Sequence, residues 1–188
     1  AGAALLRFFG RVADAAPVPV AIQNAPQYLG VGLSPASLAE LGRQHPNVTL
    51  LKGEASAVEI EAMVRATEGR FRVLNGRGGL ELTDNLRAGC VGMIPAPDCF
   101  DAQVRILEAM REGREAEAEA LYREILPAIT FVMQSIASLL CYGKRLVAAR
   151  LGLDPAAVVD RDPAMLPSDF GLAVTRRLAT GLGPYPSG

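Results

Sequence analysis

Four short runs of apolar, β-favouring residues recur along the chain, at 18–22, 48–52, 71–74 and 90–94, and stretches with helical spacing lie between them. No other feature constrains the fold as much. Strands joined through helices run parallel, because a crossover of that length returns the chain to the same end of the sheet. The runs are four or five residues long and apolar on both faces, as buried parallel strands are. The class is therefore α/β, with a parallel sheet and crossover helices.

The helices are read from their ends. One over 3–16 stops at Pro17, which cannot continue it. Ser34-Pro35 supplies a cap and a first-turn proline for a helix to residue 44. Ser56 caps the next, whose apolar residues are Ala57, Val58, Ile60 and Met63. Further helices are expected over 80–88, 101–112 and 115–142, the last interrupted at Pro127, and then on to residue 150. The segment 154–188 is rich in Pro and Gly and is expected to wrap the surface as a tail.

Composition removes several functions. Nineteen basic residues face twenty acidic ones, scattered along 188 residues, with no basic stripe for nucleic acid and no polybasic patch for a membrane. Aromatic residues make up 5% and tryptophan is absent, which leaves no stacking platform for single strands. Three widely spaced cysteines (Cys90, Cys99, Cys141) and one histidine form no metal-ligand pattern, and fit a reduced, cytoplasmic setting with no metal and no cofactor. Cys90 and Cys141 read as core residues. The apolar stretch 125–140 carries Pro127 and Gln134 and is too short to span a bilayer. Residues 1–10 lack the pattern of a signal peptide and read as the middle of a helix, so the start is expected to be truncated.

Gln23, Lys52 and Asn75 all fall at carboxyl ends of expected strands. A lysine pointing into a dry mouth is hard to solvate as an ammonium, and its neutral amine can attack a carbonyl carbon to form a Schiff base. The plain alternative is a lysine closing a strand by reaching out to water. Glu54 lies two residues past Lys52, on the same face of an extended segment, where it can act as a base or simply sit in solvent. Gly76-Arg77-Gly78-Gly79 follows the third strand. It can hold an anion through backbone N–H groups or serve as a tight turn. Two architectures fit these residues: a doubly wound open sheet and a segment of an eight-fold barrel, in which the strands' carboxyl ends form the active face.

The order of these residues resembles the C-terminal half of the dihydrodipicolinate synthase / N-acetylneuraminate lyase family, Schiff-base-forming (βα)8 TIM barrels. Residues 18–26, Val-Pro-Val-Ala-Ile-Gln-Asn-Ala-Pro, resemble the family's fifth strand, which usually ends Tyr-Asn-x-Pro. Leu50-Leu51-Lys52-Gly53-Glu54-Ala55-Ser56 is similar to the sixth, with its Schiff-base lysine. Val73-Leu74-Asn75-Gly76 and Gly89-Cys90-Val91-Gly92-Met93-Ile94 are similar to the seventh and eighth. The resemblance implies residues 1–97 as the second half of a barrel, 98–153 as its last helix and a C-terminal helical extension, and 154–188 as the tail. Strands 1–4 are absent from this chain, so an N-terminal half-barrel must be supplied from elsewhere. The resemblance also implies a homo-oligomer, dimer or tetramer.

By the same resemblance Lys52 would be the nucleophile. Asn75 and Gly76 would bind substrate, joined by Tyr28 and Glu54. The implied activity is that of a lyase, aldolase or hydro-lyase, acting on pyruvate or a 2-keto-3-deoxy sugar acid. Two residues depart from the family pattern. Gln23 replaces a proton-relaying tyrosine, and a carboxamide does not titrate near neutrality. Tyr28 stands where the synthase has an arginine for a substrate carboxylate. Both count against 4-hydroxy-tetrahydrodipicolinate synthesis, the second reading. A third is a catalytically silent homologue that binds a small oxo acid.

Overall fold

Pro19 decides where the first strand begins. Proline has no N–H to give a ladder, so pairing starts one residue later, where Val20 N–H donates to Asn47 O at 2.8 Å. Strand β1 therefore runs Val20–Asn24 rather than over 18–22, and Gln23 and Asn24 belong to the strand rather than to the loop after it. The computed structural model describes residues 2–186, in two units, Ala1–Ile94 and Pro95–Gly188.

In the first unit, β1 is followed by β2 (Val48–Gly53), β3 (Arg72–Asn75) and β4 (Gly92–Met93). All four are parallel and ordered as in the sequence, with Gln23 opposite Lys52 and Lys52 opposite Leu74. Strand β4 is shorter than the expected 90–94. Single bonds flank it on both sides, Val91 N–H to Val73 O at 2.9 Å and Ile94 N–H to Asn75 O at 2.7 Å.

Around the sheet lie α1 (Gly2–Ala15), α2 (Pro26–Leu29), α3 (Pro35–Gln44), α4 (Ala57–Ala66) and α5 (Leu82–Arg87). Both expected caps form. Ser34 Oγ accepts from Ser37 N–H, and Ser56 and Glu59 close a reciprocal capping box. One face of the sheet packs on these helices, and Ile22, Leu51 and Val73 share a core with Leu38, Leu41, Ile60 and Met63. A Cβ at Gly53 would stand 2.7 Å from Ile60 Cδ1, so glycine there lets α4 lie close on β2 directly behind the site.

The second unit is helical: α6 (Phe100–Arg111), α7 (Glu115–Val132), α8 (Ile136–Arg150, with a π turn at Leu139–Gly143) and α9 (Asp169–Leu182). Helix α7 was expected to break at Pro127 but continues through it. One lost hydrogen bond is outweighed by the face that Ile125, Ala128, Ile129 and Val132 bury on both sides. The break falls after Met133 instead, where Ser135 caps α8 and the axis turns by 105°.

Within 154–188 the expected surface tail is replaced by α9. Ser168 caps it, Leu172, Thr175, Leu178 and Ala179 form its buried stripe, and Gly183 ends it. Arg150, 4% exposed, ties this region to α6 through Gly183 O and both carboxylate oxygens of Asp101. No single helix among the described residues is long and apolar enough to cross a membrane.

Candidate active site

The parallel register puts Gln23 and Lys52 side by side near the carboxyl end of the sheet, on the face away from the helix-packed core. The Lys52 side chain is 23% exposed, and its Nζ lies 2.6 Å from Glu54 Oε1. Neither a bare desolvated amine nor a lysine reaching out to water describes it, because the structure gives it a carboxylate partner. Nor does Glu54 sit in solvent, for it is 5% exposed. Its backbone explains both findings. Glu54 N–H donates to Asn24 O at 2.9 Å, which carries the extended course of β2 one residue further and leaves Glu54 on the same face as Lys52.

Buried carboxylates need donors, and Glu54 has three kinds. Oε1 takes the Lys52 ammonium and, at 3.3 Å, the Gln23 carboxamide N–H. Oε2 takes the backbone N–H of Arg77 at 2.8 Å. The glycine-rich turn thus does bind an anion through a main-chain N–H, as its composition allowed, but that anion is the protein's own carboxylate. Gly76 is required by the same contact, since a Cβ there would fall 2.5 Å from each Glu54 oxygen.

Arg77 holds a left-handed backbone at φ 51°, a conformation that costs a non-glycine residue about 1 kcal/mol or more. Its side chain offsets this. Nη1 donates to Glu81 Oε2 at 2.7 Å and to Ala55 O at 3.2 Å, with the side chain 17% exposed. Tyr28, carried on the short helix α2, lies within the electrostatic reach of the same guanidinium. Burial first, and then the Glu54 charge, push the phenol above its ordinary pKa, while its bond to Arg77 and that residue's charge pull the other way. The net shift is upward, so Tyr28 is a hydrogen-bond donor at neutral pH.

Asn75 lies elsewhere. It is opposite Gly53 in the register and 2% exposed, so its side chain turns toward the helices. Its Nδ2 donates to Ala55 O at 3.1 Å and to Asn85 Oδ1 at 2.7 Å, which pins the loop after β2 to α5. Asn85 in turn donates to Leu80 O and Glu81 O. Asn24 does similar work beneath Tyr28, exchanging two hydrogen bonds with the Leu33 backbone.

Lys52, Gln23, Glu54 and Gly76 therefore converge, Tyr28 joins them through Arg77, and Asn75 supports them from behind. Sequence reasoning missed Arg77, Glu81, Asn24 and Asn85. The spacing of Arg77 and Glu81, four residues apart across a glycine-rich turn, was a visible signal for the first two.

A model of the dihydrodipicolinate synthetase family matches residues 2–165. The chain is 34% identical over 133 residues to L-2-keto-3-deoxyarabonate dehydratase of Azospirillum brasilense, covering 68% of this chain and 42% of that one. It is 32% identical over 126 residues to 4-hydroxy-tetrahydrodipicolinate synthase of Leuconostoc mesenteroides subsp. mesenteroides, covering 66% and 43%. Among solved structures it superposes with a TM-score of 0.83 on YagE of Escherichia coli K12, a prophage protein of the dihydrodipicolinic acid synthase family in complex with pyruvate. The identity there is 25%, with 97% of this chain and 62% of that one covered. The chain thus spans less than half the length of these two curated relatives.

Proposed function

The chain belongs to the dihydrodipicolinate synthetase family, and from that premise we propose that it carries the lysine side of a Schiff-base lyase site for a 2-oxo acid, with dehydration of a 2-keto-3-deoxy sugar acid as the reaction. The observation that carries this reading is the buried Glu54 carboxylate, 2.6 Å from the Lys52 amine.

In this reading Glu54 accepts a proton from the Lys52 ammonium, and the freed amine attacks the C2 carbonyl. Glu54 returns that proton to the carbinolamine hydroxyl, which leaves as water to give an iminium ion, and the positive nitrogen stabilises a carbanion at C3 as the enamine. Glu54 then takes the C3 proton and returns it to the C4 hydroxyl, which leaves as water. One carboxylate therefore acts in turn as base and acid, the work that Gln23 cannot do because a carboxamide does not titrate. Gln23 and the Arg77 N–H aim the carboxylate. Tyr28 offers a polar contact to substrate hydroxyls or to the departing water. The similarity to a keto-deoxy sugar acid dehydratase supports dehydration over carbon–carbon cleavage, which would begin from the same iminium.

Among the described residues, β1 and β4 each pair on one side only, and unpaired edges are costly unless covered. We infer that four further strands close the ring into a (βα)8 barrel and bring groups for the substrate's C1 carboxylate, and that the enzyme assembles as a homo-oligomer.

The test is borohydride reduction of the complete enzyme in the presence of pyruvate. These 188 residues contain two lysines, Lys52 and Lys144, so an adduct on this part of the enzyme is assigned by peptide mapping. The expected adduct is on the Lys52 peptide and is absent in Lys52→Ala. No adduct, or one on Lys144 alone, would overturn the reading.

A further inference from the structure

The charges beside Glu54 carry information about the far end of the substrate. Oε1 of Glu54 meets Lys52 and Oε2 meets Arg77 N–H, so a substrate bonded to Lys52 with its C3–C4 segment at Glu54 has Arg77 as the next residue along. The Arg77 guanidinium is only partly exposed and is already claimed by Glu81 at 2.7 Å. Its field also reaches Glu59, which caps α4, and Tyr28. Two basic residues, Lys52 and Arg77, thus stand against three acidic ones, Glu54, Glu59 and Glu81. The cation is outnumbered.

Resting on the function proposed above, we infer that the Arg77–Glu81 pair, with Tyr28, selects substrates whose distal end bears neutral hydroxyls and rejects those ending in a second carboxylate. A hydroxyl both donates and accepts, so it can give to a Glu81 oxygen and receive from an Arg77 N–H or the Tyr28 O–H. A carboxylate can only accept. It would have to displace Glu81 from Arg77 while facing an excess of negative charge. The left-handed backbone of Arg77 serves both ends of this arrangement, aiming its N–H at Glu54 and its side chain at Glu81. Specificity is therefore built into the same turn that positions the proposed base.

The experiment compares two ligands on the complete enzyme by calorimetric titration: 2-keto-3-deoxygluconate, with a hydroxylated tail, and 2-oxoglutarate, with a second carboxylate. Wild type is expected to prefer the hydroxylated acid. Glu81→Gln, which frees the guanidinium charge while keeping the side-chain shape, is expected to shift the affinity ratio toward 2-oxoglutarate by about tenfold. Arg77→Asn keeps a residue that tolerates the left-handed backbone and is expected to weaken the hydroxylated ligand without helping the diacid. A ratio unchanged in Glu81→Gln, or a wild type that prefers 2-oxoglutarate, would overturn the inference. Pyruvate trapping on Lys52, run in parallel, reports separately on the Schiff base, so the two readings fail by different results.

Discussion

Gly76 and Glu54 are matched by size: a single carbon added at Gly76 would overlap both oxygens of the Glu54 carboxylate, at 2.5 Å. The glycine leaves room for a charged group, buried and held by a main-chain N–H from the very next residue. The carboxylate tip can swing away from an intruding methyl, but only by giving up Arg77 N–H, Lys52 or Gln23.

Gly76→Ala should therefore damage chemistry more than folding. We expect kcat to fall by about a hundredfold, within the range typical of a displaced acid–base group, while the thermal midpoint changes little. Steady-state dehydration assays alongside thermal melts check this. A large loss of stability with kcat intact would place the role of Gly76 in the fold instead.

Glu54→Gln keeps the shape and the hydrogen-bonding span but removes the proposed proton acceptor. The expected loss in kcat is about 10²–10⁴-fold, with pyruvate still trapped on Lys52 at a reduced rate. Rapid-quench measurement of both steps distinguishes this from a purely structural ion pair, whose loss would lower stability and leave turnover intact.

The Asn75–Asn85 amide pair holds the loop that carries Glu54, and both residues are nearly inaccessible. Asn85→Ala leaves an Asn75 N–H without its acceptor and Leu80 O without its side-chain donor, while Glu81 O keeps the backbone N–H of residue 85. Stranding buried groups in this way costs about 1–3 kcal/mol, to be read from urea unfolding. An effect below that range would mean that the loop relaxes and its groups find other partners.

Asp98, 1% exposed in the helical unit, supplies a pH test. Burial raises its pKa, against the pull of the Asp98 and Cys99 backbone and the Arg150 charge. A carboxyl whose folded value is raised contributes stability that is complete below its unfolded pKa of about 3.9 and is lost as pH climbs through the folded value. Asp98→Asn should therefore raise the melting temperature at pH 7 and change it little near pH 3.5. Equal shifts at both pH values would show that ionisation is not involved.

Local pattern was enough to read the strand–helix alternation, the caps at Ser34 and Ser56, and the strand-end positions of Gln23, Lys52 and Asn75. These are local properties: periodicity, a capping hydroxyl, a proline in the first turn. Membership of the family was legible for the same reason, because the resemblance lies in short contiguous motifs. The long helix in 154–188 was hidden because the prolines and glycines around it dominate the local signal, while its buried stripe is satisfied only by packing. Tertiary structure alone decided that Lys52 has a carboxylate partner, that Glu54 is buried, and that Asn75 faces the helices. Each of these depends on contacts between segments twenty or more residues apart, Asn24 with Glu54, Glu54 with Arg77, Asn75 with Ala55, and no local pattern encodes which of two faces a strand-end residue will show.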